Sequence, residues 1–264
     1  MFLLDENLLP DNSIMKKMKK TIIPPVIPTE KLQKVLARAG LGSRREIETW
    51  IQMGRVQINR QLAVLGQRVS YQDDIAVDGR RLNLKSEPSR QIVCYHKPAG
   101  EVCTRNDPEG RTTIFERLPT LRQGRWITIG RLDLNTCGLL LLTTDGELAH
   151  RLMHPSYQIE REYAVRILGE VSHEMIARLR TGVTLDGHQL SFKQIREAGG
   201  GQDSVNRWYH VILTEGHNHE VRRLWESQGV TVSRLIRVRF GPVLLPRNLR
   251  VGRYIALDSI TEQV

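Results

Sequence analysis

Ile129-Gly130-Arg131-Leu132-Asp133-Leu134-Asn135-Thr136-Cys137-Gly138 is a polar loop bounded by glycines and held between two apolar runs, Trp126–Ile129 and Leu139–Thr143. Both runs are short and read as strands. A charged loop between rigid elements is where reactive side chains tend to sit. Asp133 is the only carboxylate in this one. An aspartate just past a strand more commonly closes a turn on its own backbone, so the residues alone leave a catalytic and a structural reading both open.

Outward from the loop, strand signals recur at Ile92–Tyr95, Tyr163–Leu168, Trp208–Leu213 and Leu235–Phe240. Helical stretches fall at Glu147–Met153, His173–Arg180 and Glu220–Ser227. Short connections between such elements predict an α+β fold with a mostly antiparallel sheet flanked by short helices. Gly199-Gly200-Gly201 lacks a following strand–helix context and reads as a surface turn, not a phosphate cradle.

Further upstream, Leu32, Val35, Leu36 and Ala39 follow helical spacing and Gly40 supplies a stop. Ser43-Arg44-Arg45-Glu46 has the capping-box spacing, and Ile47, Trp50 and Ile51 share one face of the helix it opens. Arg55–Ile58 alternates, Asn59-Arg60 turns, and Val64–Val69 is extended, which makes a compact helix–helix–strand module. From Glu30 to Gln72 it holds eight basic residues against three acidic ones. The expected organisation is a flexible leader at 1–28, this module at 29–76, a polar linker at 77–90 and a larger domain at 91–264.

Across 264 residues, 39 Lys and Arg oppose 29 Asp and Glu, and the net charge of +10 draws polyanions before any specific contact forms. Nucleic acid is the expected partner. Three cysteines, Cys94, Cys103 and Cys137, form no C-x-x-C pair, which disfavours a zinc ribbon or a disulfide scaffold. His150 and His154 stand at i, i+4 without a third ligand in sight, so no metal is expected; His217 and His219 precede the last helix and either touch RNA or have no role. The longest aliphatic run is Leu139–Leu142, far short of a membrane span, and a cytoplasmic protein without membrane contact is expected.

Several long motifs carry a resemblance. They are Gly130-Arg131-Leu132-Asp133 with Asn135–Gly146, Glu160-Arg161-Glu162-Tyr163, and Glu215-Gly216 through Glu220-Val221-Arg222-Arg223. Together they resemble the RsuA family of bacterial ribosomal RNA pseudouridine synthases, which place an S4-type RNA-binding domain before the catalytic domain. Tyr95-His96-Lys97-Pro98 and Glu101–Gly110 are similar to members acting on the large subunit. The resemblance covers residues 30–260 and implies a cofactor-free isomerase acting on a uridine of large-subunit (23S) ribosomal RNA, read here as a monomer.

By the same resemblance Asp133 is the catalytic carboxylate, Tyr163 stacks on the target uracil, Arg222 pairs with the aspartate, and Leu235 walls the pocket. Arg131 either fills the gap left by a flipped nucleotide or touches a phosphate. The expected RNA-binding surface of the S4-like module is Lys34, Arg38, Ser43, Arg44, Arg45 and Arg55. Taken singly, Tyr163 and Leu235 fit a core and Arg222 a solvated helix face. The alternative function is a non-catalytic S4-domain RNA binder or ribosome-assembly factor in which Asp133 is structural. A glycosidic hydrolase is a weaker third reading, because the motifs supply no second carboxylate to activate water.

Overall fold

Helices α1 (Leu32–Arg38) and α2 (Arg44–Gln52) form where the periodicity places them in the computed structural model, which describes residues 28–84, 89–199 and 206–260. The capping box closes in both directions. Glu46 N–H donates to Ser43 Oγ at 3.1 Å and Ser43 N–H donates to Glu46 Oε2 at 2.6 Å. Strands β1 (Glu30–Lys31) and β4 (Arg68–Val69) pair, while β2 (Val56–Ile58), β3 (Gln61–Leu62), β5 (Ile75–Val77) and β6 (Arg80–Arg81) make a four-stranded sheet ordered β3-β2-β5-β6. Asn59 and Arg60 both take left-handed φ, 50° and 68°, the conformation of a tight two-residue hairpin between β2 and β3. Leu32, Leu36, Ile47, Ile51 and Val56 fill the core of this module. Val77, Arg80 and Arg81, inside the span expected to be linker, belong to its sheet. The expected leader up to residue 27, residues 85–88 of the linker and Gly200-Gly201 of the surface turn lie outside the described residues.

The larger domain follows the α+β expectation. Its elements are β7 (Ile92–Lys97), β8 (Ile127–Ile129), β9 (Cys137–Thr143), α3 (Gly146–Met153), β10 (Arg161–Leu168), α4 (His173–Thr181), β11 (Val183–Leu185), β12 (His188–Leu190), β13 (Gln194–Gly199), β14 (Asn206–Leu213), α5 (Glu220–Glu226), β15 (Thr231–Phe240), β16 (Val243–Leu244) and β17 (Tyr254–Leu257). Nine strands form one sheet in the order β13-β14-β10-β15-β9-β7-β17, with β16 beside β15 and β8 beside β9. Every pairing in it is antiparallel except β15 with β9. The hairpin of β11 and β12 turns on Asp186-Gly187, both at positive φ, a local turn signal that the alternation reading passes over.

β9 organises the domain because it is covered on both faces. Leu139 and Leu141 join Cys94, Ile129 and Phe240 in one core, whereas Leu140 and Leu142 join Tyr95, Trp126 and Leu132 in another. Successive strand side chains point to opposite faces, so a strand buried on both sides carries an unbroken apolar run. The parallel contact with β15 depends on Gly138, whose φ is +109° and whose missing Cβ would stand 2.3 Å from the Arg237 carbonyl oxygen. No larger residue fits there without moving a strand.

Candidate active site

The loop between β8 and β9 is fastened from below by Lys97, the last residue of β7. This lysine is fully buried, and its ammonium donates to the carbonyls of Pro98 at 2.9 Å, Asp133 at 3.1 Å, Thr136 at 3.1 Å and Leu134 at 3.4 Å. Burial lowers its pKa, and the nearby Cys103, Cys137, Glu101 and Asp133 pull it back upward. Gly100 N–H donates to Leu134 O at 2.8 Å, and Cys103 Sγ donates to Leu132 O at 3.3 Å. The backbone around Asp133 is thus held at Leu132, Asp133, Leu134 and Thr136 by groups from the sheet and the segment after β7. Its carboxylate stays 39% exposed.

Above the loop lies a cavity of about 1030 Å³ lined by Arg131, Asp133, Tyr163 and Leu235 among others. The structure therefore gathers four of the five expected site residues at one opening. Tyr163 stands in β10 at the bulge opposite Arg237, half-buried and packed against two of the hydrophobic cores. Leu235 is 3% exposed and is both core and cavity wall. Arg131 is exposed on the rim.

Arg222 departs from the expectation. Its guanidinium donates to Val232 O at 2.8 Å and to Asn135 O at 3.1 Å, and no ion pair joins it to Asp133 among the described residues. Arg222 ties α5 and the start of β15 to the far end of the loop. The partner of the aspartate is instead His219, whose Nε2 lies 3.4 Å from Asp133 Oδ1. His219 precedes α5 in the left-handed conformation, φ 51°, which is how a residue three positions before Arg222 reaches the loop from a different side. The sequence offers this histidine only RNA contact or no role, because its approach to Asp133 is purely tertiary.

Arg161 and Arg237 also line the cavity, and neither is among the site residues expected from the sequence. Arg237 is 1% exposed at an inward position of β15 that alternation would assign to an apolar residue. Its Nε donates to Leu139 O at 2.7 Å, while Nη2 is buried with no hydrogen-bond partner. An unpaired buried donor is costly to the fold. Arg161 gives Nη1 to the carbonyls of Thr214 at 2.7 Å and Glu215 at 3.0 Å, bracing the rim opposite the loop.

At 3.4 Å and half exposed, the Asp133–His219 contact is worth at most about 1 kcal/mol. His219→Ala is accordingly expected to slow turnover only about two- to fivefold, leaving the melting temperature unchanged. A steady-state rate lowered a hundredfold would show that His219 does more than accompany the carboxylate.

The expected RNA-binding residues divide into two groups. Lys34 pairs with Glu30 at 2.8 Å and with Glu147 of the larger domain, Arg38 pairs with Glu30 at 2.6 Å, and Arg55 pairs with Asp78 at 2.6 Å. Ser43 spends its hydroxyl on the helix cap. Arg44 and Arg45 stand exposed at the start of α2.

Residues 91–227 match the RNA pseudouridylate synthase family, and residues 30–75 match the S4 domain. The ribosomal large subunit pseudouridine synthase B of Pseudomonas aeruginosa is 59% identical over 245 residues, which is 92% of this chain and 63% of that protein. That of Salmonella typhi is 56% identical over 234 residues, covering 87% of this chain and 80% of the relative. A crystal structure of a pseudouridylate synthase aligns with TM-score 0.60 at 28% identity, over 86% of this chain and 95% of the other.

Proposed function

The chain belongs to the RNA pseudouridylate synthase family and carries an S4 domain ahead of the catalytic domain; from that premise we propose that it converts a uridine of large-subunit ribosomal RNA to pseudouridine, with Asp133 as the catalytic carboxylate. The observation that carries this reading is an exposed carboxylate on a rigidly fastened loop, sharing one cavity with a tyrosine ring and a leucine wall. The reaction breaks the N1–C1′ glycosidic bond, turns the base and rejoins it through C5, with the C5 proton leaving. A single carboxylate near the sugar serves this chemistry as nucleophile or base, since no water need attack. Every heavy atom of the uridine is retained and no electrons are transferred, so the proposal requires no cofactor.

Lys97, Gly100, Cys103 and Arg222 hold the carboxylate's loop before substrate arrives, which is the preorganisation that makes one charge effective. Tyr163 offers a face on which the detached base can stack. An enzyme acting on a base takes the nucleotide out of its stack, and the exposed Arg131 serves either to fill the gap left in the RNA or to touch a phosphate beside it. We read the enzyme as a cytoplasmic monomer. Among the described residues no helix is long and apolar enough to cross a membrane.

The test is tritium release from large-subunit ribosomal RNA labelled at uracil C5. Release with multiple turnovers is the expected result; RNA binding without release would favour a non-catalytic S4 binder. Tyr163→Phe refines it, because the ring's stacking, worth about 1–3 kcal/mol per base, survives and only the hydroxyl is lost. The Phe variant is expected to rearrange RNA carrying 5-fluorouridine, whose C5 has no proton to lose, yet release little tritium from the C5-labelled RNA. Full tritium release would reduce Tyr163 to a stacking platform.

A further inference from the structure

A second hollow, of about 380 Å³, lies on the seam between the two domains, outside the Asp133 cavity. It is formed where their backbones touch. Gly124 N–H donates to Ala39 O at 3.4 Å, and a Cβ on Gly40, whose φ is +91°, would stand 2.5 Å from Gly124 O. Arg125 follows this contact directly and is carried into the seam by it. Arg44 enters from the first turn of α2 and reaches Gly146 at the start of α3, with Nη2 4.0 Å from where a Gly146 Cβ would be. Arg90 stands just ahead of β7, positioned by Gln91 N–H donating to Thr144 Oγ1 at 2.9 Å.

The charge balance in this hollow is one-sided. Its three carboxylates are already committed. Glu30 is held by Lys34 and Arg38, Glu147 by Lys34, and Asp145 accepts the N–H groups of Glu147 at 2.8 Å and Leu148 at 3.1 Å. Arg44, Arg90 and Arg125 remain with no ion pair among the described residues. Glu46, which also acts electrostatically on Arg125, accepts a hydrogen bond in the capping box. Burial pulls the Arg125 guanidinium below its ordinary range, Glu46 offsets part of this, and the like charge of Arg44 adds to it. Arg105, stacked on Phe115 at 4.1 Å, is lowered likewise by burial and then by the charge of Arg125. A hollow lined by five cationic side chains and three carboxylates keeps an excess of positive charge that an anion relieves, and guanidinium forks fit phosphate oxygens.

We propose that Arg44, Arg90 and Arg125 form a cradle for consecutive phosphates of the RNA backbone, so that substrate binding spans the seam and is read by both domains at once. This deepens the reading of the chain as an RNA-modifying enzyme. Arg125 comes from the larger domain and Arg90 from the end of the linker before it, outside the span that matches the S4 domain. A phosphate track across the seam also sets the distance between the module's RNA contacts and the Asp133 cavity, and that distance selects which nucleotide reaches the loop.

The experiment compares R90Q/R125Q with R247Q/R250Q, the same loss of charge at exposed positions elsewhere on the larger domain. Binding of a large-subunit ribosomal RNA transcript is measured from 0.05 to 0.5 M salt. The seam variant is expected to bind about ten- to sixtyfold more weakly at 0.1 M and to lose roughly 1.5–2 from the magnitude of its salt slope, whereas the control changes far less. Equal effects of the two pairs would overturn the cradle in favour of a diffuse field. Inorganic phosphate, added at constant ionic strength, is expected to compete only weakly with RNA. Submillimolar competition that R90Q/R125Q abolishes would instead mark a site for free phosphate and also overturn the proposal. Wild-type protein that shows the seam-dependent binding but releases no tritium would refute the catalytic reading while leaving the cradle standing.

Discussion

Asp133→Asn is expected to abolish pseudouridine formation, by on the order of 10⁴-fold or more, while folding and RNA affinity stay close to wild type. The amide nearly matches the carboxylate in shape, and the loop does not depend on the side chain. It hangs on carbonyls bonded to Lys97, Gly100, Cys103 and Arg222. What disappears is the charge, and with it the group that can attack or deprotonate at the sugar. Losing the 3.4 Å contact with a half-exposed His219 should hardly register in stability. Tritium release by the purified variant over several turnovers, with mass spectrometry excluding reversion to aspartate, would remove Asp133 from the chemistry. A lowered melting temperature together with lost RNA binding would restore the structural reading of this residue.

Gly138→Ala is the change expected to harm the fold most. The added methyl would stand 2.3 Å from the Arg237 carbonyl oxygen and 2.6 Å from its amide nitrogen, backbone atoms that cannot swing aside. Positive φ at alanine adds a strain of about 1–3 kcal/mol, and the overlap adds a further penalty of about 1–3 kcal/mol, so a loss of roughly 2–6 kcal/mol follows. In a domain of this size that lowers the melting temperature by on the order of 10 °C. Activity should fall with it, because the same strand pair carries Arg237 beneath the loop. Gly130→Ala is the internal comparison: its φ is +73°, but the nearest atom to an added Cβ is the Arg237 side chain at 4.0 Å, so only the φ strain applies. Calorimetry showing the two variants equally stable would rule out the parallel β9–β15 register described here.

Much of this protein is determined by local chemistry that a single chain displays on its own. The capping box at Ser43, the helical spacing of Leu32 to Leu36 and the Asn59-Arg60 turn act over a few residues, and the structure forms them as their spacing predicts. Leu139–Leu142 announces a strand covered on both faces because each neighbour in the run must find its own core. The family resemblance carried by the long motifs likewise implies one site for Asp133, Tyr163 and Leu235, and those three residues do line one cavity.

Other features exist only once distant segments meet. His219 reaches Asp133 because a left-handed residue precedes α5, and Arg222 ends on two carbonyls because α5 packs beside β15 and the loop. Lys97 is a bare charge in sequence; three carbonyls from a loop 36–39 residues away turn it into the pin of the site. The arginines at the domain seam read as unrelated surface charges until Gly40 and Gly124 bring the backbones together. Sequence periodicity reports which face of an element is apolar, since that depends on the element alone. Which charge faces which carbonyl, carboxylate or like charge depends on how the elements are packed, and only the tertiary structure decides it.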